Sequence, residues 1–162
     1  MRAIGIALGL LCVAGFEMLG AEPAPAVTTQ ATQFQRVVLV RLKNGTDLLA
    51  GLQQAVAREK IKNAVILSGF GSLTSFHTHV VANSTIPAKN VFMKEQAPYD
   101  LLGVTGAVLA GTVHAHVTVA SQQKTTGGHL EPGSSVFTFV FVTLGVIGDD
   151  LDIHRYDDQT WR

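Results

Sequence analysis

The sequence contains little cysteine and little charge. Its single cysteine among 162 residues is Cys12, so the chain cannot form an internal disulfide. If residues 1–21 are removed, no cysteine remains, and a metal site would have to use His, Asp, Glu or water. Charged residues make up 15% of the chain and the formal net charge is zero. Because nucleic-acid binding needs a positive surface, this balance argues against a DNA-binding role.

Several catalytic and nucleotide-binding motifs are also missing. The sequence has no glycine-rich phosphate loop ending in Lys-Ser or Lys-Thr, and the Gly-Phe-Gly-Ser stretch at 69–72 is too short for a dinucleotide fingerprint. Neither Gly-x-Ser-x-Gly nor His-Glu-x-x-His occurs. None of these motifs therefore predicts a function for this chain, and its chemistry has to be inferred from other patterns.

The first 21 residues have the order of a secretory signal. Arg2 is followed by a short apolar run at 4–16 and by the small-residue site Leu-Gly-Ala at 19–21. The run is shorter than the ~18 residues of a membrane helix and Glu17 interrupts it. We expect a signal peptide at 1–21, a flexible linker at 22–33 and one domain at 34–162. The mature chain would be periplasmic or extracellular, with no membrane span; an uncleaved signal anchor is the alternative.

The hydrophobic pattern predicts an α+β sheet protein with one helix. Residues 36–42 are typical of a strand, and Thr46 or Asp47 can cap a helix that ends near Lys60. Glycines around 68–71 suggest that a short buried strand ends at Leu67. Residues 83–97 read as irregular, and four further strands are predicted at 73–82, 99–108, 113–120 and 135–146.

Three of the six histidines lie within sixteen residues. His114 and His116 are two residues apart in a predicted strand and therefore project from the same face. We expect a glycine turn at Gly127–Gly128 to reverse the chain and bring His129 to that face. Three neutral imidazoles directed at one point would form a half-open tetrahedral metal site, with one position left for water, an anion or a substrate.

A second pair, His77 and His79, also shares one face of a predicted strand. It either completes the first cluster or lies on a solvated surface. An enzyme built on the metal site would need a general acid or base, for which the accessory candidates are Glu131, Asp100, His77 and His79. Glu131 is the first choice because it follows His129 by two residues; the alternative is a surface turn residue before Pro132.

The arrangement of these motifs resembles the plants and prokaryotes conserved domain. The matching stretches cover residues 36–147 and include NGTDLL at 44–49, AVILSGFGSL at 64–73, YDLL at 99–102, TG at 105–106, HAH at 114–116, GGHL at 127–130 and PG at 132–133. The resemblance implies a mainly antiparallel sheet with one principal helix packed on it, assembled as a homotrimer. It also implies a divalent metal, zinc, at His114, His116 and His129.

The chain departs from that family pattern at two places. It lacks the Arg-Gly-Arg-Pro hook of DNA-binding plant members, and Asp100 stands after Tyr99 where many relatives carry glutamate. We therefore expect an exported protein of the histidine-containing prokaryotic type. It would act as a binding or assembly module that associates with itself as a homotrimer and binds a small-molecule ligand. A metal-dependent hydrolase or lyase acting on a small molecule is the alternative, and DNA binding is disfavoured.

Overall fold

The computed structural model describes residues 27–151. It contains six strands and one helix within that range, in the order β1 (Phe34–Lys43), α1 (Leu48–Arg58), β2 (Ala64–Val81), β3 (Asn90–Leu109), β4 (Thr112–Ala120), β5 (Thr125–Leu130) and β6 (Val136–Ile147). This confirms the predicted sheet-dominated fold with one principal helix. The predicted signal peptide and residues 22–26 of the predicted linker lie outside the described range, and residues 27–33 form neither helix nor strand.

The six strands form a single sheet in which every pairing is antiparallel. The strand order is β1-β6-β2-β3-β4-β5, and β2 also pairs with β5 at Thr78 and His79. Strand β2 is long enough to serve two neighbours along the same edge, β6 beside its first half and β5 near its end. The sheet therefore curls so that β2, β3, β4 and β5 close on themselves.

Helix α1 covers one face of the sheet. Asp47 caps its first turn by accepting a hydrogen bond from the Ala50 N–H at 2.8 Å, as an N-cap carboxylate does. Leu48, Leu52 and Val56 recur at four-residue spacing and are buried against the core. At 11 residues, the helix is too short to cross a bilayer, and the described chain has no other helix.

The prediction that a strand ends at Leu67 was wrong, since β2 runs without a break from Ala64 to Val81. Register shifts at 66/68 and 71/73 let the strand bend and continue. Gly71 marks a close approach to β6, because a Cβ atom there would lie 2.1 Å from the carbonyl oxygen of Phe139. This glycine therefore allows β2 and β6 to approach closely, and it does not end the strand.

Two further expectations were wrong for a similar reason. Residues 90–97, predicted as irregular, form the first part of β3, which is held in register by the facing half of β2. Gly127 and Gly128 were expected in a turn, but they lie inside β5, and the chain reverses earlier, at 121–124. In both segments, pairing with distant strands overrides weak local strand propensity.

One surface of the sheet is apolar and is not covered by the helix. Val37 and Leu39 of β1 are 58% and 72% exposed, and their neighbours across β6 and β2 include a group of aromatic rings. We call this surface the outer apolar face; it comprises Val37, Leu39, Val65, Phe70, Phe139 and Phe141. The ring centroids of Phe70 and Phe141 are 6.0 Å apart.

Candidate metal centre

Strand β4 places His114 and His116 on the side of the sheet opposite the core. The residues that alternate with them, Ala115 and Val117, are 1% and 3% exposed and face inward. The strand period of two therefore projects both imidazoles outward together, as the sequence predicts. His116 is also the direct antiparallel partner of His129 on β5, an arrangement that brings Cβ atoms within about 4.5–5.5 Å.

Two glycines hold β5 tightly between its neighbours. A Cβ atom on Gly127 would lie 2.2 Å from the Val117 carbonyl oxygen of β4, and one on Gly128 would lie 2.5 Å from the His79 carbonyl oxygen of β2. Distances this short exclude any side chain at either position unless the backbone moves. His129, the next residue, is therefore fixed between β4 and β2.

His114, His116 and His129 converge into what we call the three-histidine group. Their nearest ring nitrogens all lie within 4.8 Å of one another. The ring centroids are 5.4 Å apart for His114 and His116, 4.6 Å for His114 and His129, and 5.2 Å for His116 and His129. Tetrahedral zinc with Zn–N distances of ~2.0–2.1 Å would require nitrogens roughly 3.4 Å apart. The three nitrogens are already close to that separation, so these residues could hold a metal ion.

The protonation of the group also suits a cation. Burial, together with the nearby imidazoles of His114, His79 and His116, lowers the pKa of His129 to about 4, and Glu131 opposes the shift. Burial likewise lowers the pKa of His114, with His116 and His79 contributing. Both rings are therefore neutral at pH 7 and offer a lone pair without first losing a proton.

A second cluster adjoins the first and includes His129. His79 on β2 is the direct partner of His129, and their ring centroids are 4.5 Å apart. The Nδ1 atom of His79 donates to the Glu131 carboxylate at 2.7 Å. One ligand atom from each of His79, His129 and Glu131 lies within 4.8 Å of the other two. We call these three residues the His79–Glu131 group.

Residues 29–148 match the Plants and Prokaryotes Conserved (PCC) domain family, also abbreviated PPC. This match covers most of the chain. The chain belongs to this family. Among curated proteins it is 30% identical over 125 residues to a Bifunctional protein GlmU from Synechococcus. The match covers 76% of this chain but only 18% of that protein's length.

Solved structures agree with the PCC fold. A metal-containing protein from Archaeoglobus fulgidus superposes with a TM-score of 0.67 at 21% identity, over 83% of this chain and 95% of that one. A PPC protein from Pyrococcus horikoshii gives 0.64 at 23% identity, over 76% and 87%. A protein from Bacteroides thetaiotaomicron described as DNA-binding gives 0.60 at 15% identity, over 71% and 83%.

The PCC domain does not bring every predicted accessory residue to the cluster. The Nδ1 atom of His77 bonds the Pro132 carbonyl oxygen at 2.7 Å, and His77 belongs to neither histidine group. Asp100 pairs with Ala120, four residues or about 13 Å along β4 from His116. It lines a separate open groove of about 810 Å³. Of the four accessory candidates, the structure groups only His79 and Glu131 with a member of the three-histidine group.

Sequence analysis missed one residue beside the PCC domain's histidines. Phe92 is the cross-strand partner of His79, and its ring centroid lies 5.3 Å from that of the imidazole. The ring is 58% exposed and forms an apolar wall next to the His79–Glu131 group. The sequence predicts no strand there, because Phe92, Met93, Lys94 and Glu95 are two apolar residues followed by two polar ones and lack the alternation of a strand.

Proposed function

We propose that this protein is an exported PCC-domain binding module that assembles as a homotrimer and holds a divalent cation in the three-histidine group. The convergence of His114, His116 and His129 on one side of β4 and β5 is the observation that carries the proposal. Neutral imidazoles are ligands that zinc accepts readily, so zinc is the ion we propose. The signal-like order of residues 1–21 supports export.

Ligand capture is the activity that this site supports best. Three protein ligands leave one position of a tetrahedral ion open. A zinc ion bound there supplies a Lewis acid for an anionic or carbonyl-bearing small molecule. The chain's own contribution is to orient the rings: β4 fixes two of them by strand alternation, and the glycines of β5 fix the third.

The metal content of purified protein tests the site. Protein prepared without a histidine tag is expected to retain about one zinc ion per chain after dialysis, while the His114→Ala/His116→Ala variant retains almost none. His77→Ala is the matched control, because His77 lies on the same side of β2 as His79 but belongs to neither group; it should bind like wild type. Equal metal contents in wild type and the double variant would refute the site.

Self-association is supported by the outer apolar face. Exposed apolar side chains grouped on one sheet surface mark a contact site for a partner. Strand β1 also presents a free edge beside them, since its one sheet neighbour among the described residues is β6. A second and third copy of the chain are the partners we propose for this surface.

The mass in solution, measured by light scattering, tests this assembly. Wild type should have three times the mass of one chain, and Leu39→Glu should shift the protein towards single chains because it places a charge within the covered surface. The control is Ile86→Glu, which alters an equally exposed side chain, 69% against 72%, in the β2–β3 loop. A wild-type mass of one chain would contradict the proposal.

A metal-dependent hydrolase or lyase is the second candidate. It is favoured by the open position on the ion and by Glu131 and His79 beside it, which could serve as acid or base. Assays of zinc-loaded protein on ester, phosphate and lactone substrates separate the two candidates. Rates that exceed those of His114→Ala/His116→Ala would identify an enzyme.

A further inference from the structure

Four imidazoles, not three, are gathered on the outward side of the curled sheet. His79, His129 and His116 are direct cross-strand partners in turn, so they form a row over the adjacent strands β2, β5 and β4. Direct partners in antiparallel strands project to the same face. His129 stands in the middle of this row and is the one residue common to both histidine groups.

The β2 end of the row, at His79, has a different set of metal-binding groups from the β4 end, at His116. The three-histidine group offers imidazole nitrogens alone, whereas the His79–Glu131 group adds a carboxylate. The side chains of His79 and Glu131 are only 17% and 23% exposed. Two imidazoles and one carboxylate, all half-buried, are the ligand types of many zinc sites. The three-histidine group does not include His79 or Glu131, so the second set of ligands is not needed to form the first site.

The contact between His79 and Glu131 marks a place for a cation. A carboxylate oxygen can only accept a hydrogen bond, so the His79 Nδ1–H is the donor in the 2.7 Å hydrogen bond to Glu131. A divalent ion that takes the place of this proton would bind the same nitrogen and oxygen. The neutral imidazole would then carry its one ring proton on Nε2, so no proton is lost. The two atoms would need to separate by only about 0.6 Å to reach ordinary zinc-ligand geometry.

We propose that the centre contains a second cation position, formed by His79 and Glu131 next to His129. It rests on the proposed function, because His129 also serves the ion in the three-histidine group. A neutral imidazole has one lone pair to offer, so His129 binds one ion at a time. With the first ion in place, the second is held by His79, Glu131 and solvent, and it is the weaker of the two.

Zinc titration of the metal-free full-length chain by calorimetry tests this position. Wild type is expected to bind in two phases, a tight one and a weaker one, each of about one ion per chain. The His79→Ala/Glu131→Gln variant should lose the weaker phase and keep the tight one. The His114→Ala/His116→Ala variant should lose the tight phase and keep only a weak one, of the kind that dialysis removes, since His79, Glu131 and His129 remain.

The outcomes separate this proposal from the proposed function. A single tight phase in wild type that disappears in His114→Ala/His116→Ala would uphold the three-histidine site and overturn the second position. Two phases retained in His79→Ala/Glu131→Gln would also overturn it. Absence of any zinc binding by wild type would overturn both. His77→Ala serves as the control and should show both phases, and circular dichroism of each variant should show wild-type strand content. The milder Glu131→Gln single change provides the same test if the double variant does not fold.

Discussion

Replacing His129 with alanine is expected to abolish tight zinc binding by this protein. His129 is the direct partner of His116 on one side and of His79 on the other, and it belongs to both histidine groups. Loss of a second-shell partner of a metal ligand typically costs 10–100-fold in affinity, so loss of this shared ligand should cost more than about 100-fold. Equilibrium dialysis against zinc buffers would measure the effect.

The same measurement on other variants shows whether the effect belongs to the shared position. His79→Ala should leave the tighter ion in place, and His77→Ala should leave zinc binding unchanged. His129 sits in a six-residue strand with a half-buried side chain, so removing its ring leaves the core intact. Tight binding retained by His129→Ala would show that the two groups do not meet at this residue.

Gly106→Ala is expected to destabilise the protein by more than about 3 kcal/mol, because it forces apart two paired strands. Gly106 of β3 faces Ala115 of β4, between the two histidines. A Cβ atom there would lie 2.1 Å from the His114 carbonyl oxygen and 2.9 Å from the Ala115 Cα, and the φ angle of +135° is itself unfavourable for alanine. Urea unfolding would measure the loss of free energy.

Gly103→Ala provides the matched control for this substitution. It lies on the same strand, but a Cβ atom there would contact nothing within 4 Å, so its effect should stay within about 1 kcal/mol. Because the backbone that Gly106 touches carries His114, the Gly106→Ala variant should also bind zinc more weakly. Equal stability of the two variants would mean that β3 and β4 can separate at little cost.

Local pattern was sufficient to predict β1, α1 and the paired histidines. The four-residue spacing of Leu48, Leu52 and Val56 identified the helix, and Asp47 was one of the two predicted caps. His114 and His116 share a face because any strand alternates its side chains. These features depend on residues close together in the sequence, where propensity and periodicity are informative.

The features that were missed depend on residues far apart in the sequence. Gly127 and Gly128 have the local signature of a turn, yet they lie within a strand. The backbones of β4 and β2 approach them so closely that no side chain would fit. The contact between His79 and Glu131 follows from the pairing of β2 with β5, across 52 residues of chain. Both depend on which strands are neighbours, and local sequence patterns do not reveal that order.

The central position of β6 has a consequence for how the chain acquires its structure. This strand is the last of the described elements, yet it lies between β1 and β2, and β1 pairs with no other strand in that part of the chain. The sheet therefore cannot be completed until residues 136–147 have joined it, which closes a loop of roughly a hundred residues. A polypeptide that emerges amino end first therefore keeps an incomplete sheet until residues 136–147 have been synthesised, and β1 waits unpaired for them.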